Sequence, residues 1–246
     1  MPLESTHPQD SKLIMKDTSK PNLIETMKAD ARGHIALLPY HLRRLHQSAR
    51  TLNYVYPGDE VVITAIKNAL ISTRDSNQPS INANRDGAPA CAGHTATRVR
   101  LLLSPEGQLS IVTAALPELG GTPLIALTDL RLDSHEYYLQ HKTTYRPWYD
   151  AATQWLAKHP DYFDLIFLNE RGELCEGSRS NIYVFKKGEW LTPPLSSGLL
   201  GGVLRTELLE TDQVREAILT PSDLTTNDAP IRLSNALRGW FEVRLV

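Results

Sequence analysis

Apolar residues stand at Leu42, Leu45, Ala49 and Leu52 within residues 41–53, a helical spacing that predicts an amphipathic helix. A second helix is predicted from Asp59, a favourable N-cap, through Ile63, Ile66 and Leu70 to about Thr73. Ahead of both lies a short strand-like run from Asn22 to Met27. Residues 1–20 are polar, mixed in charge and have little to bury, so they read as a disordered leader. Between 75 and 96, Asn, Ser, Pro, Gly and Ala replace all periodicity, which marks a flexible insertion. Residues 98–103 and 109–115 flank Pro105-Glu106-Gly107 as a β-hairpin. The run from Leu116 to Pro123 contains two prolines and two glycines and is the best linker in the chain. It divides a small N-terminal domain, 21–116, from a larger C-terminal domain, 122–246.

Beyond the linker the pattern predicts a strand at 125–132 and a helix from Trp148 to about Lys158. A hairpin is expected over 163–184, turning at Glu170-Arg171-Gly172, with a further turn at Lys187-Gly188. The glycine-rich turn at 198–202 opens onto a predicted helix over 203–210. Strand-like runs at 231–233 and 241–246 close the sequence. No internal repeat is present, and the mixture predicts an α+β protein in two parts.

Composition narrows the function classes. With 41% hydrophobic residues, 246 residues can bury a substantial core. A net charge of −2 and the lack of a basic stripe argue against nucleic-acid or anionic-membrane partners. No run reaches the roughly 18 apolar residues of a membrane span, and the N-terminus has no apolar signal stretch. A cytoplasmic protein is the expectation. Cys91 and Cys175 show no metal-binding or C-x-x-C spacing and read as reduced thiols.

Simple catalytic signatures are absent. His41 and His46 are five apart, which misses the i, i+4 spacing of two ligands on one helix face. Neither a G-x-S-x-G elbow nor a Walker lysine motif occurs. Gly201-Gly202-Val203-Leu204-Arg205 carries glycines into a helix start, where free N–H groups and the helix dipole favour a phosphate. Taken alone, such glycines more often only terminate a strand and start a helix. Arg44 sits on an amphipathic helix, where an arginine ordinarily faces solvent. Ser234-Asn235 could donate to an anion or make a turn. Glu176 enters an apolar strand region, and a buried carboxylate needs a partner. Lys142 follows a strand-like segment, and a single lysine is usually an exposed one. A phosphorylated aldehyde cofactor with a pyridinium ring would need a lysine, a carboxylate, and an arginine with backbone amides. Each has a candidate, and spacing alone does not bring them together.

Six segments in order resemble the fold-type IV, class IV aminotransferase-like pyridoxal-phosphate enzymes. They are Leu23-Ile24-Glu25-Thr26, His41-Leu42-Arg43-Arg44-Leu45, His141-Lys142-Thr143-Thr144, the stretch from Asn169 to Asn181, Gly201-Gly202-Val203-Leu204-Arg205, and Ser234-Asn235-Ala236-Leu237-Arg238-Gly239. They span residues from about 22 to the end, and the 4-amino-4-deoxychorismate lyases are the most similar branch. The resemblance implies a small N-terminal α/β domain, a larger pseudo-barrel domain, a cofactor cleft between them, and a homodimer. It also implies that Lys142 forms a Schiff base with pyridoxal 5′-phosphate and that Glu176 pairs with the ring nitrogen. Arg44, the N–H groups of Val203 and Leu204, and the Ser234-Asn235 turn would hold the phosphate. The activity implied is a lyase releasing pyruvate and 4-aminobenzoate, a folate precursor. A branched-chain or D-amino acid aminotransferase is the competing activity, and a non-catalytic cofactor-binding protein the competing class. Two features depart from the pattern: the length of the insertion at 75–96, and Cys175 where a threonine or similar small residue is expected.

Overall fold

The structure, a computed structural model, describes residues 20–76, 96–225 and 229–246. The leader, most of the insertion and Cys91 lie outside the described residues.

The N-terminal part pairs β1 (Leu23–Asp30) with β2 (Ala96–Leu103), and β2 with β3 (Leu109–Ala115), in an antiparallel sheet. Alternation along β1 puts Leu23, Met27 and Ala29 into a core with Leu45, Ala49 and Leu52 of α1 (Leu38–Leu52). Val62, Ile66 and Leu70 of α2 (Asp59–Ser76) complete that core. The first helix begins three residues earlier than its apolar spacing suggested, because Pro39 is tolerated in a first turn. It ends at Asn53, whose left-handed φ of 57° lets its N–H reach the last carbonyls. Glu25 shares the inward face of β1 with Leu23 and Met27, so its carboxylate is buried against α1. Thr26 faces the other way.

The C-terminal part is built on eight strands in the order β10-β11-β4-β5-β6-β7-β8-β9. These are β4 (Leu124–Leu132), β5 (Tyr162–Asn169), β6 (Leu174–Gly177), β7 (Asn181–Lys186), β8 (Glu189–Thr192), β9 (Arg215–Glu216), β10 (Ile231–Asn235) and β11 (Gly239–Leu245). β10 pairs with β11 on one side and with β7 on the other, so six strands close on themselves. This is the pseudo-barrel of an α+β, fold-type IV architecture. Ile125, Ile166, Leu174, Ile182, Leu233 and Val243 belong to one of its buried clusters. On another side α3 (Asp150–Lys158) packs Ala152 and Leu156 with Leu165 and Phe167 of β5.

The single hairpin expected over 163–184 is instead a three-strand meander. After the turn at Glu170-Arg171-Gly172, β6 lasts only four residues before the chain reverses again at Ser178-Arg179-Ser180. The cause is Asp164, fully buried on β5. Its carboxylate accepts from the Ser178 N–H (2.9 Å) and hydroxyl (2.6 Å), the Arg179 N–H (3.1 Å) and the Ser180 hydroxyl (2.6 Å). Those bonds substitute for continued strand pairing. Gly177 is required there, since a Cβ would overlap Asp164 Oδ2. β9 and α5 (Pro221–Thr225) carry too little periodicity to have been foreseen.

Candidate active site

The two parts are stitched together beside Lys142. Ile24 N–H donates to the Lys142 carbonyl (2.8 Å), and Thr144 N–H donates to the Asn22 carbonyl (2.8 Å). Leu23 and Thr143 form an isolated antiparallel bridge between these contacts. The segment 142–144 therefore runs as an extra strand along the start of β1. Thr143 is buried, and its neighbour Lys142 lines a cavity of about 240 Å³. Burial lowers the Lys142 amine from 10.5 to about 7, with help from the charges of Arg146 and Arg44 and against those of Glu25 and Glu176. An amine so placed is substantially unprotonated near neutral pH.

Six of the seven residues singled out in the sequence line that cavity: Lys142, Arg44, Val203, Leu204, Ser234 and Asn235. Glu176 is not part of the lining. It is buried behind it, where Tyr149 donates its hydroxyl (2.6 Å) and Leu200 its N–H (3.0 Å) to Oε1. Asn181, which does line the cavity, donates its amide to Oε2 at 3.3 Å. Burial raises Glu176 from 4.5 to about 7, although Tyr149, the Leu200 N–H, Arg146 and Lys142 all pull it down. A cationic or N–H-bearing group in the cavity would favour its ionised form.

Arg44 departs from the ordinary placement of a helix arginine. It turns inward, giving Nε to Glu25 Oε1 (2.9 Å) and Nη2 to Glu25 Oε2 (2.6 Å), while Nη1 reaches the Gly201 carbonyl (3.3 Å). His41, 1% exposed, meets Glu25 Oε2 through Nδ1 at 2.5 Å. Burial pushes the Glu25 carboxyl up, but Arg44 and His41 together bring it down to about 2, so it is ionised and can only accept. Nδ1 must then carry the proton. Burial also lowers His41, which leaves the ring neutral beside a fixed guanidinium.

Opposite Arg44, Gly202 caps α4 (Val203–Glu210), whose first N–H groups have no partner inside the helix. A Cβ on Gly202 would overlap Asn181 Oδ1, so only glycine lets the helix start this close to β7. Ser234 is buried and shares a hydrogen bond of 2.8 Å with the Tyr183 hydroxyl. Asn235 spends its side-chain oxygen on the N–H groups of Leu237 (3.1 Å) and Arg238 (2.9 Å), which makes it a turn-former. Free helix amides, a fixed guanidinium and a turn therefore face one another with a deprotonatable amine between them. This donor set suits a phosphorylated aldehyde whose ring nitrogen needs a carboxylate. Among the described residues no cluster of His, Cys, Asp and Glu could hold a metal ion.

Sequence reading missed Tyr149, His41 as a member of the site, Arg146 and Asp164. A signal existed for Asp164, an acid inside the apolar run Phe163–Leu168, and for Glu25, an acid between Ile24 and Met27. None marked Tyr149, whose role depends on where a 3-10 turn over Pro147–Tyr149 aims it.

The site and the pseudo-barrel define a class, and comparison agrees with it. Residues 22–246 match the family model for amino-transferase class IV, and the chain belongs to that family, whose members are pyridoxal-phosphate enzymes. It is 28% identical over 222 residues to a Schizosaccharomyces pombe protein named "Putative aminodeoxychorismate lyase", covering 88% of this chain and 86% of that one. A crystal structure from Mesorhizobium loti, described as a "Putative amino-acid aminotransferase", aligns with a TM-score of 0.75 and 30% identity over 92% of this chain and 100% of that one. A Mycobacterium tuberculosis structure, "A hypothetical aminotransferase" in "PLP-bound form", aligns with a TM-score of 0.69 and 21% identity over 92% and 81% of the two chains.

Proposed function

We propose that this chain binds pyridoxal 5′-phosphate through Lys142 and acts as a 4-amino-4-deoxychorismate lyase, releasing pyruvate and 4-aminobenzoate. The observation that carries the cofactor reading is the lowered Lys142 amine in a cavity walled by Arg44 and the start of α4. Arg44, the Val203 and Leu204 N–H groups and the Ser234-Asn235 turn would hold the phosphate, and Glu176 the ring nitrogen. When bound, the cofactor supplies an electrophilic carbon for amines and a ring that accepts electron density.

The chain's own residues do the rest. Lys142, about half of it neutral at pH 7, would be able to form the carbonyl link. With Nζ free, Lys142 would be placed to take the proton from the amine-bearing carbon of a bound substrate. In the lyase direction the enolpyruvyl C–O bond then breaks and its electrons leave with oxygen, while the ring becomes aromatic. Glu176 would face the ring nitrogen and, when ionised, favour its protonated form. Similarity to the fission-yeast protein favours this outcome.

A second reading, an amino-acid aminotransferase, is favoured by the likeness to the Mesorhizobium loti structure. There Lys142 would move the same proton without a C–O bond being broken, and the amino group would pass to a keto acid. Incubation with aminodeoxychorismate separates the two. Stoichiometric pyruvate and 4-aminobenzoate support the lyase, whereas amino exchange between an amino acid and a keto acid without pyruvate release overturns it. We further propose that the chain works in the cytoplasm as a homodimer, handling a small-molecule substrate and neither nucleic acid nor membrane; sedimentation of the purified protein tests the dimer.

A further inference from the structure

The cofactor cavity is bordered by two others, and their charge states differ. The larger, about 550 Å³, shares Arg44 and Val203 with it, but its cations are already balanced: Arg43 pairs with Glu210 at 2.7 Å and Arg44 with Glu25. The other, about 360 Å³, lies between α3 and the Ser178-Arg179-Ser180 turn, with Leu156 and Ala157 as its apolar wall. Arg146 and Arg179 line both this outer cavity and the cofactor cavity, so the two guanidiniums form the partition between them.

Both guanidiniums are positioned by neutral groups. Arg146 donates Nη2 to the Ser178 carbonyl (2.8 Å) and lies 4.5 Å from the Tyr149 ring centre. Arg179 donates Nε to the Phe163 carbonyl (2.9 Å), with Nη2 on the same oxygen, and lies 5.0 Å from the Phe163 ring centre. Among the described residues neither forms an ion pair. The nearby buried carboxylates meet these guanidiniums only through space, Glu176 with Arg146 and Asp164 with Arg179, while their oxygens are bonded by Tyr149 and Leu200 and by the turn. Carbonyls and aromatic faces orient a guanidinium without neutralising it. Each arginine has five N–H donors and spends only one or two of them on those carbonyls, and a planar fork is the best match for a carboxylate.

We propose that Arg146 and Arg179 form a carboxylate subsite, and that the amino substrate carries a carboxylate remote from its reacting amine which this pair reads. The inference rests on the proposed function only in placing the reacting amine at Lys142. A cofactor ring and phosphate would fill most of about 240 Å³, so a substrate must extend outward; Arg100 also lines this cavity, and at the partition two guanidiniums without an ion-paired carboxylate stand together. A ring with its amine and carboxylate at opposite ends matches that layout.

Equilibrium binding to the holoenzyme tests the subsite with probes that cannot react, 4-hydroxybenzoate and its neutral isostere 4-hydroxybenzamide. The acid should bind at least tenfold more tightly than the amide. Arg179→Gln should abolish that preference, Arg179→Lys should restore part of it, and Arg146→Gln should reduce it. Arg179 is exposed and its side chain bonds one carbonyl, so the melting temperature of its variants should fall by at most a few degrees. In turnover, Arg179→Gln should raise KM about tenfold with kcat changed less than threefold. Equal binding of the two probes, or a preference that survives Arg179→Gln and Arg146→Gln together, overturns the proposal. Acid preference without pyruvate release would remove the lyase reading and leave the subsite standing. Pyruvate release with KM unchanged in Arg179→Gln would do the reverse.

Discussion

Tyr149 donates its hydroxyl to Glu176 Oε1 across 2.6 Å, with both side chains buried. Burial and the adjacent carboxylate keep the proton on the tyrosine, so the direction of the bond is fixed. The bond also opposes the burial that raises Glu176 to about 7. Tyr149→Phe should therefore make Glu176 harder to ionise, at a loss of roughly 1.5–3 kcal/mol for a hydrogen bond to a charged group. Cofactor affinity near pH 7 should fall roughly tenfold or more, and the pH above which the cofactor is held should move upward. Absorbance titration of the apoprotein between pH 6 and 9 measures both. An unchanged profile would mean that Tyr149 only fills space.

A second prediction concerns acid. In the unfolded chain Glu25 takes up a proton near 4.5, whereas in the fold it does so near 2. Between those values the unfolded chain binds a proton that the fold does not, so stability must fall as pH falls through that window. The stabilisation is complete above about 4.5. Glu25→Gln should flatten the window while destabilising the protein at pH 7, because Arg44 and His41 lose their buried acceptor. Chemical denaturation at several pH values would show this, and parallel acid slopes for the two proteins would refute it.

Much of this arrangement was legible in the sequence, and the remainder was not for physical reasons. Leu42, Leu45, Ala49 and Leu52 announced α1 because one buried stripe repeats with the helix. The start of α4 after Gly202 was legible because a glycine-rich turn into an apolar run has few alternatives. The polar run from Glu176 to Asn181 hinted at the reversal at Ser178-Arg179-Ser180 but not at what ends the strand pairing there. What breaks it is Asp164, more than a dozen positions away. Helix spacing alone put Arg44 on a solvated face, and only the family resemblance put it in the site, for a similar reason: its inward turn depends on Glu25, and pairing across 19 positions leaves no local trace.

Gly202 offers a third prediction. A methyl group there would overlap the side-chain oxygen of Asn181, which also bonds the Leu200 carbonyl (2.9 Å) and Glu176 through its amide. Gly202→Ala must push Asn181 aside or pull the start of α4 away from β7. Either change disturbs the phosphate seat and the support of Glu176 together. Cofactor affinity should fall by at least tenfold, with the melting temperature of the apoprotein lowered by only a few degrees, an overpacking cost of about 1–3 kcal/mol. Full retention of cofactor by a folded Gly202→Ala protein would show that α4 does not hold the phosphate.

The last prediction tests Lys142 through its ionisation. An amine that titrates near 10.5 is almost wholly protonated at pH 7, and only the neutral form attacks a carbonyl carbon. Burial, with Arg146 and Arg44, brings Lys142 to about 7, which raises the neutral fraction at pH 7 from a trace to about half. Capture of the cofactor by the apoprotein, fixed with borohydride and located by peptide mapping, should then label Lys142. Its initial rate should climb through a midpoint near pH 7 and level off by about pH 8. Arg146→Gln removes one of the charges that lower the amine, so its midpoint should shift upward. A midpoint near 10, or a label on another lysine, would show that position 142 is not poised for this chemistry. Lys142→Ala should abolish the fixed label while leaving the fold intact, because the backbone contact from Ile24 to residue 142 does not involve the side chain.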